Sequence, residues 1–357
     1  MRLVKRVPYV LALVLAASAA ACGGSGTDDD VDVEGGTSHL YVVDRLLLPT
    51  TATEASAYGL NLDGDEQNRP DNALGQILST LASQSSDVSL QDSIDTQIDT
   101  GGIILLNRFR ATALTTATGV GSWIYLGETA TPTPCVDIND TVCRQHLSGS
   151  ASFTLDAASP NDAKVVGQIV GTRYTGGPGT VTIQIALTEG SDQELTLNLY
   201  GARMDVTVAE TTLGTSGSPG KLGGAIKEED LQNDVLPALH GILEDNINED
   251  CTGTTTGAPP CGCTDGGTGQ TLLDLFDEEP DRAGTEPDGD CVVTLDELKN
   301  NSLISSLLAP DVDLFDADGN FNPRDDGVKD SLSLGIAFTS VGATFTFTPD
   351  PDEPPQE

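Results

Sequence analysis

The sequence predicts an α+β protein that is mostly β, with an antiparallel β-sandwich-like body, a few helices and a small disulfide-stapled segment. Apolar and polar residues alternate over 181–188 and 194–199, and Gly-rich stretches separate such segments. Aromatic residues make up only 4% of the chain and there are two Met, whereas Gly alone contributes 39 residues. This composition favours strands and turns over a helical bundle. A single curved antiparallel sheet with helices on one face fits the same pattern.

The first half of the chain mixes one strand, two helices and then further strands. Residues 40–48 form a dense apolar run that ends at Pro49 and predicts a strand. Residues 71–84 and 90–98 each place their apolar side chains on one helical face. Gly101-Gly102 then ends the second helix. Further strands are predicted at 103–114, 122–126 and 152–155.

The clearest hairpin signal lies at 164–188, with Gly176-Gly-Pro-Gly179 as the turn. The alternation of the next strand changes parity at Gly201, which predicts a bulge or corner. A helical segment follows, and Pro237 must start or kink its helix. Alternating residues at 341–347 predict a late strand that closes the sheet.

The N-terminal residues have the layout of an export signal, with a basic start, an apolar run over 7–21 and then Cys22. The apolar run is too short to span a bilayer. A cysteine directly after small residues resembles the lipobox of bacterial lipoproteins, in which lipid is attached to the cysteine that becomes the new N-terminus. The resemblance implies a membrane anchor at Cys22, and Gly23 in place of Asp favours the outer membrane. An ordinary cleavage signal is the alternative, because Ala19 stands where that family usually has Leu.

Six further cysteines form an even set in an exported chain, which predicts disulfides. Cys135 and Cys143 are close in sequence and far from the rest, so we expect them to pair. The other four are expected to form two bridges in an unassigned pairing, and a zinc site at Cys261-x-Cys263 is the alternative. These four are Cys251, Cys261, Cys263 and Cys291.

Acidic residues near the C-terminus have the spacing of a calcium loop. Ca²⁺ takes six to eight oxygens, so loops that bind it alternate side-chain oxygens and close with a bidentate Glu. Asp288 and Asp290 supply the alternation, Thr294 follows, and Glu297 lies at the closing position. With apolar helical segments before and after it, the stretch 271–308 resembles an EF-hand. The resemblance implies a structural Ca²⁺ ion.

This segment departs from the EF-hand pattern at two places. Cys291 occupies the position that usually takes Gly for a left-handed turn. The first ligand is either Glu286, which keeps the loop length, or Asp277, which directly follows the entering helix and implies an insertion. Val293 is the apolar residue expected to pair with another loop.

Two other segments resemble each other and the short Asp-rich calcium loops of bacterial extracellular proteins. Each has an Asx-x-Asp-Gly-Asx start and a later Asp that begins a Leu-Gly segment. The same spacing also makes turns without any ion. The candidate ligands are Asn61, Asp63, Asp65 and Asp71 in the first, and Asp316, Asp318, Asn320 and Asp330 in the second.

These features predict six regions along the chain. They are a signal peptide (1–21), a lipid-attachment cysteine with a flexible acidic tether (22–38), a β-rich body with N-terminal helices (39–224), a helical segment (225–250), a Cys-rich EF-hand-like calcium region with closing strands (251–348) and a disordered tail (349–357).

The predicted function is that of a lipid-anchored envelope protein with calcium-stabilised structure, which binds or scaffolds and does not catalyse. The net charge of −38 repels phosphate, so we expect membrane attachment and an unknown extracellular ligand, and no nucleic acid. The three His are far apart and lie in no nucleophile motif. Trp123 and Tyr125 are interpreted as core or edge residues and not as a sugar platform. A surface hydrolase acting on polysaccharides or esters and a salt-adapted acidic protein without calcium are the alternatives.

Overall fold

The chain forms two compact units, one from residues 1–227 with 310–357 and one from 228–309. The structure is a computed structural model. It describes residues 12–14, 35–65, 67, 69–84, 90–135, 143–157, 159, 163–186, 194–252, 261–277 and 291–346.

The first unit is mostly antiparallel β-sheet, which confirms the predicted fold class. Its strands are β1 (Ala12–Val14), β2 (Thr37–Leu47), β3 (Leu105–Ala111), β4 (Thr116–Thr131), β5 (Ser152–Leu155), β6 (Lys164–Val170), β7 (Arg173–Gly176), β8 (Val181–Ala186), β9 (Glu194–Ala209), β10 (Thr212–Leu213), β11 (Gly220–Lys227) and β12 (Ser331–Gly342). Its helices are α1 (Ala52–Tyr58), α2 (Ala73–Gln84) and α3 (Leu90–Thr100), with a 3₁₀ turn at Gln145–Leu147.

Eight of these strands form a closed ring of antiparallel pairs in the order β9–β11–β12–β2–β3–β4–β6–β7. The ring closes where β7 pairs back onto β9, with Tyr174 opposite Val206. Opposite walls of this ring face each other across a shared core, as in a sandwich, and the walls belong to one continuous curved sheet. Short β10 links β9 to β12 a second time, β5 extends β4, β8 extends β9, and β1 pairs with β8.

Side chains join opposite walls across the core of the ring. The Tyr41 hydroxyl on β2 donates to the carbonyl of Ala209 on β9 at 2.7 Å. Phe109 on β3 meets Tyr174 on β7 edge to face, with ring centroids 4.8 Å apart. Such an aromatic pair adds about 0.5–1.5 kcal/mol beyond the area that it buries. All three rings are fully buried, so they fix the distance between the walls.

The strand pairing differs from the predicted hairpin at 164–188. β6 pairs with β7 through a turn at Gly171-Thr172, and β8 pairs with β9. Alternation identifies which face of a strand is buried, but it does not identify the partner strand. The predicted bulge is confirmed: Gly201 has φ of +60°, and the β9–β11 register shifts opposite it. The closing strand is β12, which begins ten residues before the predicted 341–347 and ends at Gly342.

Helices α1 and α2 pack on the outer face of β12, where the buried side chain of Asn72 holds them. Its amide nitrogen donates to the carbonyls of Ala55 and Gly335, both at 2.9 Å. Its amide oxygen accepts from the N–H groups of Gly75, at 3.0 Å, and Gly335, at 2.7 Å. These four bonds use both donors and both lone pairs of the amide.

Small residues on β12 allow this close approach. A Cβ atom at Gly335 would lie 2.8 Å from the carbonyl oxygen of Tyr58. Two residues earlier, the Ser333 hydroxyl accepts the N–H of Ala73 at the start of α2, at 2.8 Å. The outer face of β12 is therefore buried by helices, and the inner face by the core.

The second unit is helical and has its own apolar core. Its helical segments are α4 (Glu228–Asp230), a π-helical segment (Leu231–Val235), α5 (Leu236–Asp250), α6 (Thr268–Phe276), α7 (Leu295–Asn300) and α8 (Ser302–Leu307). Pro237 lies in the first turn of α5, directly after the π-helical segment, where the sequence predicts that it starts or kinks a helix. The predicted exiting helix is interrupted at Asn301, whose side chain accepts the N–H groups of Leu303 and Ile304 and so begins α8.

Three disulfides are present. Cys135–Cys143 confirms the predicted local pair. The four C-terminal cysteines form Cys251–Cys263 and Cys261–Cys291, as two bridges among themselves. The zinc alternative at Cys261-x-Cys263 is wrong, because each of these sulfurs belongs to a different disulfide.

Within the part of the chain that the structure describes, no helix is both long and apolar enough to cross a membrane.

We predict that Asn72→Ala destabilises the first unit by about 3 kcal/mol. The substitution removes four hydrogen bonds, each worth about 1 kcal/mol net, and leaves buried backbone groups unpaired. Urea denaturation measures the loss. Asn233→Ala changes an exposed asparagine and should stay within about 0.5 kcal/mol of the wild type. Equal stability of Asn72→Ala and wild type would contradict this role for the amide.

Candidate calcium-binding loops

In the EF-hand-like segment, Asp277 contacts the predicted calcium loop. Asp277 follows the last residue of α6, and its Oδ2 accepts the N–H of Cys291 at 2.9 Å. Of the two candidates for the first ligand, Asp277 therefore lies against the loop. Glu286, Asp288 and Asp290 lie outside the described residues.

Cys291 has the backbone conformation that glycine usually supplies at its position. Its φ is +71°, in the left-handed region, where a side chain normally costs free energy. Its disulfide to Cys261 and the carboxylate of Asp277 hold it in that conformation. Cysteine here therefore keeps the sharp turn of the loop and also ties the loop to the chain that follows α5.

Thr294 and Glu297 form a capping box at the start of α7. The Thr294 hydroxyl accepts the Glu297 N–H at 3.2 Å, and Glu297 Oε2 accepts from the Thr294 N–H at 2.6 Å and its hydroxyl at 2.8 Å. Thr-x-x-Glu is the pattern of such a box. Thr294 and Glu297 therefore cap helix α7, in addition to their predicted role as calcium ligands.

The residue that the sequence predicts to pair with another loop is Val293. It is 1% exposed within the apolar core of the second unit, and its carbonyl accepts from His240 Nε2 on α5 at 2.7 Å. His240 Nδ1 lies 3.7 Å from a carboxylate oxygen of Glu244. A histidine therefore binds the backbone of the loop where the sequence predicts pairing with another loop.

The two Asp-rich segments of the first unit share one hydrogen-bond plan at their start. Asn61 Oδ1 accepts the N–H of Asp65, four residues later, at 2.9 Å. Asp316 Oδ1 accepts the N–H of Asn320, also four residues later, at 2.9 Å. Asx side chains make such turns without an ion. Asp63 Oδ1 likewise accepts the N–H of Asp65, at 2.9 Å.

The final Asp of each segment also binds the backbone. Asp71 Oδ2 accepts the N–H of Leu62 at 2.7 Å, and Asp330 Oδ2 accepts that of Phe315 at 2.9 Å. Each acid thus closes its loop by accepting a backbone N–H from a residue at the other end of the loop. The likeness of the two sequences therefore extends to the structure.

The two loops lie side by side. Arg324 Nη1 donates to the Gly64 carbonyl at 3.3 Å, and Arg69 Nε pairs with Asp65 Oδ2 at 2.5 Å. Asp318 is exposed to solvent. The carboxylates that the sequence assigns to calcium are therefore mostly engaged by backbone N–H groups or by Arg69.

Burial makes this region sensitive to pH. Burial, with the nearby carboxylates of Asp63 and Asp311, raises the pKa of Asp71 to about 6, against the opposing bond from Leu62. Burial also lowers the pKa of the neighbouring Arg203, while Asp63 and Asp71 act in the opposite direction. Arg203 Nε is buried with no partner among the described residues.

The histidines and aromatic residues considered for catalysis have structural contacts. His146 is fully buried, its Nε2 lies 3.1 Å from the Ile98 carbonyl, and burial lowers its pKa. Trp123 and Tyr125 are each 1% exposed, and the Arg108 guanidinium carbon lies 5.0 Å from the centroid of the Trp123 ring. The interpretation of these aromatics as core residues is confirmed.

Among the residues that the structure describes, no three His, Cys, Asp or Glu side chains are grouped closely enough to hold a metal ion. Backbone carbonyl oxygens and water also bind Ca²⁺, so a site with fewer carboxylates fits its chemistry. No family model, curated protein or solved structure matches this chain. The residues themselves therefore carry any functional proposal.

Sequence pattern alone did not identify Asn72, Arg203 or Asp313. Asn72 follows the candidate ligand Asp71 and lies at the start of the predicted helix at 71–84. Asparagine is favoured at helix starts, and this preference is the signal that the sequence offers. Asp313 precedes the second Asp-rich turn, and only the structure shows that it is buried.

We predict that the stability contributed by Asp71 is lost as pH rises from about 4 to about 6, and that Asp71→Asn removes this contribution. The unfolded carboxyl titrates near 3.9 and the folded one at about 6, so in that window the folded state holds more protons. The stabilisation by Asp71 protonation is complete below the unfolded pKa and is lost as pH rises through the folded pKa. Urea denaturation with chelator present should show a wild-type-minus-variant difference that changes by about 2 kcal/mol across this range. Asp318→Asn, at an exposed site, should keep the wild-type slope, and an unchanged slope in Asp71→Asn would contradict the assignment.

Proposed function

We propose that this chain is a lipid-anchored, exported envelope protein in which Ca²⁺ stabilises the helical unit, and that it binds or scaffolds and does not catalyse. The contact of Asp277 with the N–H of left-handed Cys291 carries the proposal. It supports a loop in which an acid after the entering helix faces the residue at the sharp turn. The sequence then adds Asp288, Asp290 and the closing Glu297.

The three disulfides support export. Disulfides persist in oxidising compartments such as the periplasm and the cell surface. Two of them lie in the helical unit, and Cys261–Cys291 ends inside the proposed loop. Removal of these two disulfides and removal of calcium should therefore affect the same unit.

Asp277, Thr294 and Glu297 are the described residues that would hold the ion. A bound Ca²⁺ supplies positive charge that relieves the repulsion between clustered carboxylates. The chain contributes the rest: the left-handed turn at Cys291, the start of α7 at Thr294, and the His240 contact that fixes the Val293 carbonyl.

A salt-adapted acidic protein is the second candidate. The excess of 55 acidic over 17 basic residues supports it, because a high negative charge keeps a protein soluble in a salty medium. The hydrolase alternative stays a prediction, which turnover on a panel of polysaccharides and esters would test.

We expect Ca²⁺ to raise the melting temperature of the chain by several degrees, and chelator to reverse the rise. A ligand that binds only the folded state adds about 2.7 kcal/mol at 100 times its dissociation constant. Glu297→Gln should weaken this response more than the matched variant Asp296→Asn, because Asp296 lies beside the closing position. Scanning calorimetry measures both.

Sodium chloride at matched ionic strength is the control for this experiment. Screening weakens repulsion without coordination, so it should not replace Ca²⁺. Equal melting with Ca²⁺ and with chelator would exclude the calcium proposal. Equal rescue by NaCl would favour the salt-adapted candidate.

We expect the protein made in a bacterial host to partition into the detergent phase through Cys22. Cys22→Ser should move it to the aqueous phase or leave the signal uncleaved, because stable attachment requires lipid chains on that cysteine. Phase separation followed by mass spectrometry of the N-terminus measures both effects. A wild-type protein in the aqueous phase, with an unmodified N-terminus, would refute the anchor.

A further inference from the structure

Asp313, in the first unit, is a buried carboxylate that its surroundings satisfy only in part. Asp313 is 6% exposed, and its Oδ2 accepts the N–H of Gly327 at 2.8 Å. Oδ1 is also buried and has no hydrogen-bond partner among the described residues. An unpaired buried carboxylate destabilises the folded state, and native proteins usually pair such a group or bind a metal with it.

The loop from Asp313 to Gly327 folds around this carboxylate. The N–H of Arg324 binds the Asp313 carbonyl at 3.2 Å, and the N–H of Asn322 binds the Leu314 carbonyl at 2.9 Å. Arg324 and Gly327 have φ of +63° and +74°, so the backbone turns sharply on both sides of Asp325 and Asp326. The carboxylate therefore lies inside a closed turn of irregular backbone, whose carbonyl groups are potential ligands.

Within the described part of the chain, the charged side chains that act on Asp313 are carboxylates. Burial first, and then the carboxylates of Asp326 and Asp330, raise the pKa of Asp313. The Arg324 guanidinium contacts the Gly64 carbonyl. Lys329 is exposed to solvent.

The neighbouring acids differ from Asp313 in their hydrogen bonds. Asp330 accepts from the N–H groups of Leu314 and Phe315 and from the Ser331 hydroxyl. Asp326 Oδ1 accepts the N–H of Val328 at 2.8 Å. Among the described acids of this loop, Asp313 therefore differs in having a buried oxygen, Oδ1, without a hydrogen-bond partner.

We propose that the 313–327 loop binds one Ca²⁺ ion through Oδ1 of Asp313, with backbone carbonyl oxygens and water completing the coordination. Ca²⁺ fits because it takes only oxygen ligands and accepts irregular geometry, whereas Mg²⁺ requires near-ideal octahedral positions. The site goes beyond the proposed function, since it lies in the other unit and is independent of Asp277 and Glu297. It also differs from the predicted Asx turn, in which Asp316 binds Asn320.

The variant Asp313→Asn distinguishes a calcium site at Asp313 from a buried carboxyl group that is simply protonated. The amide keeps an oxygen for the Gly327 N–H and removes the charge. With chelator, the variant should be as stable as the wild type or more stable, because it no longer buries a charge. With Ca²⁺, the wild type should be the more stable of the two. Thermal melting of the full chain in detergent, in both conditions, measures this crossover.

Hydrogen exchange and ion counting locate the effect. Ca²⁺ should slow exchange of the Leu314, Phe315 and Gly327 amides at least about tenfold in the wild type, and not in Asp313→Asn. Native mass spectrometry should show one Ca²⁺ fewer in the variant. Asp325→Asn, an equal charge change at an exposed neighbour, should keep both the protection and the ion.

Two results would overturn the site. One is an equal rate of amide exchange at 314–327 in the wild type with Ca²⁺ and with chelator. This measurement uses the wild type alone, so it does not depend on whether a variant folds. The other is an unchanged ion count in Asp313→Asn. Glu297→Gln should leave protection at 314–327 intact while it removes the calcium response of the helical unit, so the two calcium proposals can fail separately.

Discussion

Closure of the eight-stranded ring is the constraint on which the rest of the first unit depends. When β7 pairs with β9, every strand of the ring has two neighbours, so the described strands of the ring leave no edge for pairing with another chain. Closure also encloses one core, so Tyr41, Phe109 and Tyr174 must fit between fixed walls. A long chain excursion between β2 and β3 then has to pack outside the ring, where it forms α1, α2 and α3.

Strand β12 connects the ring to the two acidic loops of the first unit. It is buried on both faces, and its outer residues are small enough for α1 and α2 to approach. Asn72 binds Gly335, and the Ser333 hydroxyl binds the N–H of Ala73, so the start of α2 is tied to β12. One Asp-rich loop ends at the start of α2 and the other ends at the start of β12. The two loops therefore meet where the elements that follow them are held together, and the Arg324 contact with Gly64 joins the loops directly.

Local features could be predicted from the sequence, and long-range features could not. Helices α2 and α3, the bulge at Gly201 and the Cys135–Cys143 bridge depend on residues near one another in the chain, where periodicity and turn chemistry act. The pairing of β8 with β9 depends on which strands meet across the fold, which alternation does not encode. Asp277 shows the same limit in the candidate site: its contact with Cys291 spans a stretch of chain whose length the loop pattern does not predict. Burial of Asp313 likewise results from the fold of the whole loop and not from its spacing.

Because the chain is strongly acidic, its carboxylates require a source of compensating positive charge. Most described loop acids are compensated by backbone N–H dipoles, as Asp316, Asp71 and Asp330 show, and such bonds do not change with salt concentration as surface ion pairs do. Two places need more than dipoles. In the helical unit, Asp277 faces a loop that the sequence fills with further carboxylates. In the first unit, Oδ1 of Asp313 is buried without a partner among the described residues. A diffuse salt atmosphere cannot enter a buried position, whereas a directly bound ion that has lost part of its hydration shell can. The fold therefore separates general screening, which its exposed acids can use, from the specific binding of Ca²⁺ that we propose at these two places.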